Sequence, residues 1–254
     1  MRIFGTLTLV AALAAAACSG IFRQYEYEED IYLSLDGSAT VYVNSSIAAL
    51  DALHGAAFDA SRLAPVDRAA VREYFSAPFA HVVGRVATSR HSNRRFVHVR
   101  IDVDDVRRLG QLAPFAWSSY DFERDGGLFV YRQAIGAAVR QPVENVGWTG
   151  REIVAFRLHL PSKIAYHNAL PERRGNILVW EQTLADRLRG VPLTLDARME
   201  TQSILYRTVA LFGATFVAVA MTFTIVIWWI LRRGAREQSG AKTNAPAVRD
   251  ERVG

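Results

Sequence analysis

The chain has 254 residues, 50% of them hydrophobic, with 30 Lys+Arg against 25 Asp+Glu and a single cysteine. One cysteine excludes an internal disulfide, so any folded domain must be held by its core. The net charge of +5 is nearly all arginine, since only Lys163 and Lys242 are lysines.

The start reads Met1, Arg2, then an uncharged run from Ile3 to Ala17. A basic first turn, a short apolar segment and small residues before a cut site predict an export signal over residues 1–17. As a helix the run would reach about 22 Å, short of a bilayer core of about 30 Å. Two readings of its end stand. One is ordinary cleavage after Ala15-Ala16-Ala17. The other is a lipobox-like site in which Cys18 receives a lipid and becomes the new N-terminus. Ala16, Ala17 and Cys18 fit the second pattern, while Ala15 stands where leucine is usual. Export also removes contact with nucleic acid, so the basic balance is not a nucleic-acid footprint.

Residues 18–203 are long enough for one domain with its own core. In "YEYEEDIYLSL" the apolar Tyr25, Tyr27, Ile31, Leu33 and Leu35 alternate with Glu26, Glu28, Asp30 and Ser34. Asp36-Gly37 turns the chain, and Ala39, Val41 and Val43 resume the alternation, which predicts a half-buried hairpin. A helix over Ser45–His54 follows, capped by Asn44 or Ser45 and stopped at Gly55. A second helix spans Pro65–Ser76 with proline in its first turn. "HVVGRVATS" and "RRFVHVRID" predict strands about the polar tip Arg90–Asn93, and Asp104–Leu112 predicts a helix ending before Pro114. "WSSYDFERD" and "LFVYRQ" flank Gly126-Gly127 as another hairpin. "REIVAFRLHLP", "NILVWEQ" and "LTLDARME" complete the strands, with a short helix at Leu184–Arg189.

From Thr208 to Leu231 no residue is charged, which gives about 36 Å of helix, enough to cross a bilayer with some tilt. Trp228 and Trp229 close one end, with Arg232, Arg233 and Arg236 just beyond, a pattern that sets the C-terminus in the cytoplasm. Residues 204–231 are therefore expected to be a transmembrane helix and 232–254 a basic, disordered tail. The fold class expected is α+β: an antiparallel, hairpin-rich extracytoplasmic domain with a few helices, plus one C-terminal transmembrane helix.

Chemistry-bearing motifs are sparse. No GxSxG elbow, HExxH, phosphate-cradling glycine loop or CxxC is present, so no catalytic residue, metal site or cofactor is expected. His98 and His159 fall on the polar faces of predicted strands, His91 in a tip and His167 in a loop. Asp102, Asp104 and Asp105 cluster where a strand gives way to a helix. There they read either as helix caps or as a carboxylate site for a hard cation. The tip "SRHSNRR" offers Arg90, Arg94 and Arg95, beside His91, as candidate contacts for anionic lipid headgroups. Arg173 and Arg174 form a second basic loop. The strand aromatics either fill a core or line an apolar groove for lipid.

Three stretches, "YLSLDGSATVYVNSSIAALDAL", "FRLHLPSKIAYHN" and "RRGNILVWEQTLADRL", together with the lipobox-like start and the terminal helix, resemble LppM-type bacterial lipoproteins. The resemblance implies an α+β domain on the outer face of the cytoplasmic membrane, with lipid or glycolipid binding as its role. It transfers no catalytic residue, and only Cys18 as a functional position. The expectation is a non-enzymatic, single-pass envelope protein whose partners are membrane lipids. The alternative is an assembly protein that binds another envelope protein through its ectodomain or membrane helix, where Gly213, Ala214, Ala218 and Ala220 allow close approach.

Overall fold

The structure is a computed structural model, and it describes residues 23–61, 63–171 and 175–243. Eleven strands form two sheets among these residues. The first takes β1 (Tyr25–Leu33), β2 (Ala39–Ser46), β3 (Ala80–Val82), β4 (Ala87–His91), β5 (Arg94–Val103), β8 (Ile153–His159) and β10 (Ile177–Thr183). Its order is β10-β8-β1-β2-β5-β3, with β4 also on β5. The second sheet runs β6 (Ser118–Asp125), β7 (Leu128–Ile135), β11 (Leu193–Ser203), β9 (Ser162–His167).

The α+β class is as expected, with one departure from antiparallel pairing. β1 lies beside β2 as a hairpin but takes β8 as a parallel neighbour on its other edge. β9 is a strand the sequence pattern did not suggest, and its last residue, His167, is therefore in a sheet and not a loop. β8 stops at His159, and after Leu160-Pro161 the chain enters the other sheet.

The sheets share one core. Tyr27, Ile31 and Leu33 of β1, Val41 and Val43 of β2, and Phe156 and Leu158 of β8 are at most 4% exposed. Tyr131, Leu195, Ala197 and Met199 of the second sheet join the same cluster. Most of the strand aromatics, among them Tyr27, Tyr120, Phe122, Tyr131, Phe156 and Trp180, thus fill a core, while Tyr25 lies at the surface. Burying each such side chain contributes about 1.5–3 kcal/mol.

α1 (Ile47–His54) is buried at every position, which a helix apolar on nearly all sides requires. It begins two residues later than the expected Ser45 start. Ser46 caps it by accepting from the Ala49 N–H, and Gly55 closes it in the left-handed region. α2 (Arg68–Tyr74) starts after Pro65, at the Asp67 cap, which accepts from two backbone N–H groups. The expected helix at Asp104–Leu112 is a 3-10 turn over Val106–Gln111, capped by Asp105 and followed by a second at Ala113–Phe115. α3 spans Leu184–Arg189 between its Thr183 and Gly190 caps.

The chain divides into two compact units between Ser203 and Ile204. The second unit is α4 (Ile204–Thr243), in which Thr208–Arg233 is long and apolar enough to cross a membrane. The hydroxyls of Thr215, Thr222 and Thr224 donate to carbonyls one turn back, so they make no demand on their surroundings. Arg232 and Arg233 lie over the rings of Trp228 and Trp229. The helix continues through residues 234–243, where a disordered tail was expected. Residues 244–254, like the expected export segment and Cys18, lie outside the described residues.

Candidate functional site

At the basic tip, too, structure and expectation part. Ser92 and Asn93 make the β4–β5 turn with positive φ, leaving Arg90 exposed at the end of β4. Arg94 and Arg95 turn inward and are 5% and 7% exposed, so neither presents its charge to a headgroup. Arg94 pairs with Glu26 at 2.8 Å and donates to the Val146 carbonyl. Arg95 donates to the carbonyls of Ala64 and Asp59. The cause lies in β1. Its register against β8 shifts between Tyr25 and Tyr27, which rotates Glu26 from the polar face into the interior. A buried carboxylate then needs a buried cation. Arg173 and Arg174 lie outside the described residues.

Two of the three aspartates do structural work. Asp105 accepts from the Arg107 N–H and holds the Arg107 guanidinium, which keeps its carboxyl below the usual range. Asp102 accepts from Thr40. Among the described residues no three His, Cys, Asp or Glu side chains converge as metal ligands.

What the sequence did not reveal is how the outward face of the first sheet is composed. The register aligns its side chains in rows. One row reads Val179, Arg157, Asp30, Tyr42, Arg100, and the next Ile177, His159, Tyr32, Thr40, Asp102. His159 stacks on Tyr32 with ring centres 3.7 Å apart, and Tyr42 meets Tyr32 edge-on at 5.4 Å. Tyr32 is 44% exposed. Charge is balanced locally: Arg157 holds Glu28 at 2.7 Å and Asp30 at 3.2 Å and sits over the Tyr25 ring. Those two carboxylates push the Arg157 guanidinium well above its ordinary pKa despite partial burial, so it stays charged. Tyr25 and Arg23 both bind Glu181.

Two cavities of about 310 and 300 Å³ open on this face and share Arg23 and Tyr25. Glu28, Asn44, His91 and His98 line one, and Asp30, Arg157, His159 and Val179 the other. Their walls are rings and paired charges, a surface suited to a polar ligand that can stack.

The most perturbed carboxyl belongs to the opposite face. Glu29 stands on the inward stripe of β1, between Tyr27 and Ile31, and is 1% exposed. It accepts from Gln133 at 2.9 Å, Tyr27 at 2.9 Å and Tyr120 at 3.1 Å, and Tyr131 in turn donates to Gln133. Burial pushes its pKa up to about 7 against these three bonds. The network bolts the two sheets together through their shared core. Its signal was in the sequence as a carboxylate inside an apolar stripe. Beside it, His54 packs on Trp117 and Tyr27, and burial holds its pKa down to about 3, aided by the charge of Arg187.

No protein-family model matches the chain, and no curated protein matches it. Among solved structures it is similar to the NMR structure of the folded domain of Mycobacterium tuberculosis LppM. The identity is 13% and the TM-score 0.38, over 70% of this chain and 92% of that one. That protein is a weak structural neighbour, and a likeness at this level carries neither a family nor an activity to this chain.

Proposed function

We propose that the chain is a non-enzymatic, membrane-anchored protein of the bacterial envelope whose extracytoplasmic domain binds the polar part of a lipid or glycolipid. The observation that carries this reading is the open face of the first sheet. There His159 stacks on Tyr32 and Tyr42 meets Tyr32 edge-on, flanked by charges already neutralised by one another. Rings of this kind stack on a sugar or a flat headgroup, while balanced charge gives no special claim on an anion. The apolar run of α4 supports anchoring, and the Trp228–Arg233 segment supports a cytoplasmic C-terminus.

The test is native mass spectrometry of the full chain released from detergent micelles, after incubation with extracted envelope lipids. Discrete lipid adducts are expected for the natural sequence and should be lost in Tyr32→Ala and His159→Ala, both of which should fold. A bare mass with every lipid offered would refute the reading and favour an envelope protein as the partner of this face.

A further inference from the structure

Away from the open face, the two inward arginines meet in a cavity of about 60 Å³ at the start of α1. One water needs only about 10–15 Å³ of such space, so the volume suits a tetrahedral ion better than a single solvent molecule. Its lining includes Ile47, Ala48, Arg94, Arg95, Asn145 and Glu144. Its outer wall is a strap of chain, residues 136–152, with no helix or strand of its own. The strap is tied down by the N–H groups of Val139 and Arg140, which donate to carbonyls of α1, and by the bond from Arg94 to Val146. Glu152 closes its far end by accepting from Thr149 and Gly150. Structureless segments of this length in a compact domain are commonly functional.

Three features of the cavity call for negative charge. The N–H groups of Ile47 and Ala48 open α1 and have no partner within the helix, and the helix dipole is positive there. Arg94 is 5% exposed, and although its terminal nitrogen pairs with Glu26, its Nε has no partner among the described residues. Arg95 is 7% exposed and is held by carbonyl oxygens alone, with no ion-paired carboxylate among the described residues. Asp51 and Asp59 feel its charge only from farther off. A buried guanidinium without an ion-paired carboxylate, as at Arg95, is costly, and a bound anion lowers that cost while using donors on residues that line one space.

We propose that this cavity is a binding site for a small oxyanion of the phosphate or sulfate class, held by Arg94, Arg95 and the first turn of α1. The site is separate from the open sheet face and does not depend on what that face binds. Glu144, exposed at the rim, weakens the site by repulsion and sets its affinity.

The test is thermal unfolding of the full chain in a neutral detergent, with sodium chloride replaced by sodium phosphate or sulfate at constant ionic strength. At a hundredfold excess over Kd the melting temperature should rise by about 5 °C or more. Arg95→Gln should lose the rise. Glu144→Gln, an exposed change that leaves the fold alone, should tighten phosphate binding about threefold or more. If Arg95→Gln fails to fold, the Glu144→Gln titration decides alone. Phosphatidic acid with four-carbon chains separates the sources. A rise with it matching that of phosphate assigns the site to a headgroup phosphoryl, and a rise with the inorganic ions alone assigns it to a free anion. Equal melting temperatures in phosphate, sulfate and chloride, for both the natural sequence and Glu144→Gln, would overturn the proposal.

Discussion

Replacing Glu29 with glutamine tests the central claim about the interior, that one carboxyl bolts the sheets together at a cost that depends on pH. The folded pKa is about 7 against an ordinary value of 4.5, and burial is the main cause. Below about pH 4.5 both folded and unfolded chains carry the proton, and the carboxyl costs nothing. Between 4.5 and 7 the unfolded chain gives up its proton while the folded one keeps it, so stability falls as pH rises. Above 7 the loss is complete: 2.5 pH units at 1.36 kcal/mol each, or about 3 kcal/mol. His54 works in the opposite sense, because its folded pKa is held down from 6.5 to about 3. Its contribution is full above 6.5 and is lost as pH falls towards 3. The two effects offset between about pH 4.5 and 6.5, so the profile of the natural sequence alone hides the contribution of Glu29. The readout is therefore the difference between Glu29→Gln and the natural sequence. Glutamine still accepts from Gln133 and Tyr120, while its amide donates to a reoriented Tyr27 hydroxyl. Denaturant unfolding of the full chain in detergent should show the variant gaining about 3 kcal/mol on the natural sequence between pH 4.5 and 8. A difference that stays constant with pH would refute the reasoning.

His54→Phe keeps the ring contacts with Trp117 and Tyr27 and removes the titrating group. Relative to the natural sequence it should gain about 3 kcal/mol at pH 4 compared with pH 7, read from the same unfolding curves. Arg94→Met strands the Glu26 carboxylate in the interior and should cost about 3–5 kcal/mol, most of it recovered in the double variant with Glu26→Leu, as a double-mutant cycle would measure. Gly55→Ala strains a residue at φ 68 and brings a methyl group to 3.2 Å from Val139, so its melting temperature should drop by a few degrees, corresponding to about 1–2 kcal/mol. Val217→Arg puts a charge at mid-span of α4 at a cost of about 2.5–3.5 kcal/mol of insertion, and should move chain from the membrane to the soluble fraction on cell fractionation.

Strand periodicity made most of the two-sheet unit legible because burial alternates wherever one sheet face is packed and the other is open. Asp36-Gly37 and Gly126-Gly127 marked their hairpins through turn chemistry that is local in sequence. The failures share a different cause. That Glu26 turns inward depends on a bulge against β8, and that Arg94 and Arg95 follow it depends on Glu26. No local pattern encodes either. β9 was missed because "SKIAYH" is short and half exposed, so its alternation is weak. The open face went unread for a related reason: Tyr32, His159 and Tyr42 lie on three strands, and only the register brings their rings together. Glu29 alone could have been found, as the one charge on an apolar stripe.

The placement of β1 has a consequence for how this domain comes into being. Its second edge is completed by β8, and Asp30 and Arg157, which meet across that edge, stand 127 residues apart in sequence. A chain made from its N-terminus can form the β1–β2 hairpin early, yet β1 then waits with bare backbone donors and acceptors until more than a hundred further residues have followed. For that interval the strand that will become the middle of the sheet is an open edge, ready to pair with whatever extended chain it meets. Protection in that window, by a holding factor or by rapid continuation of synthesis, therefore decides the yield of folded molecules as much as the stability of the finished core.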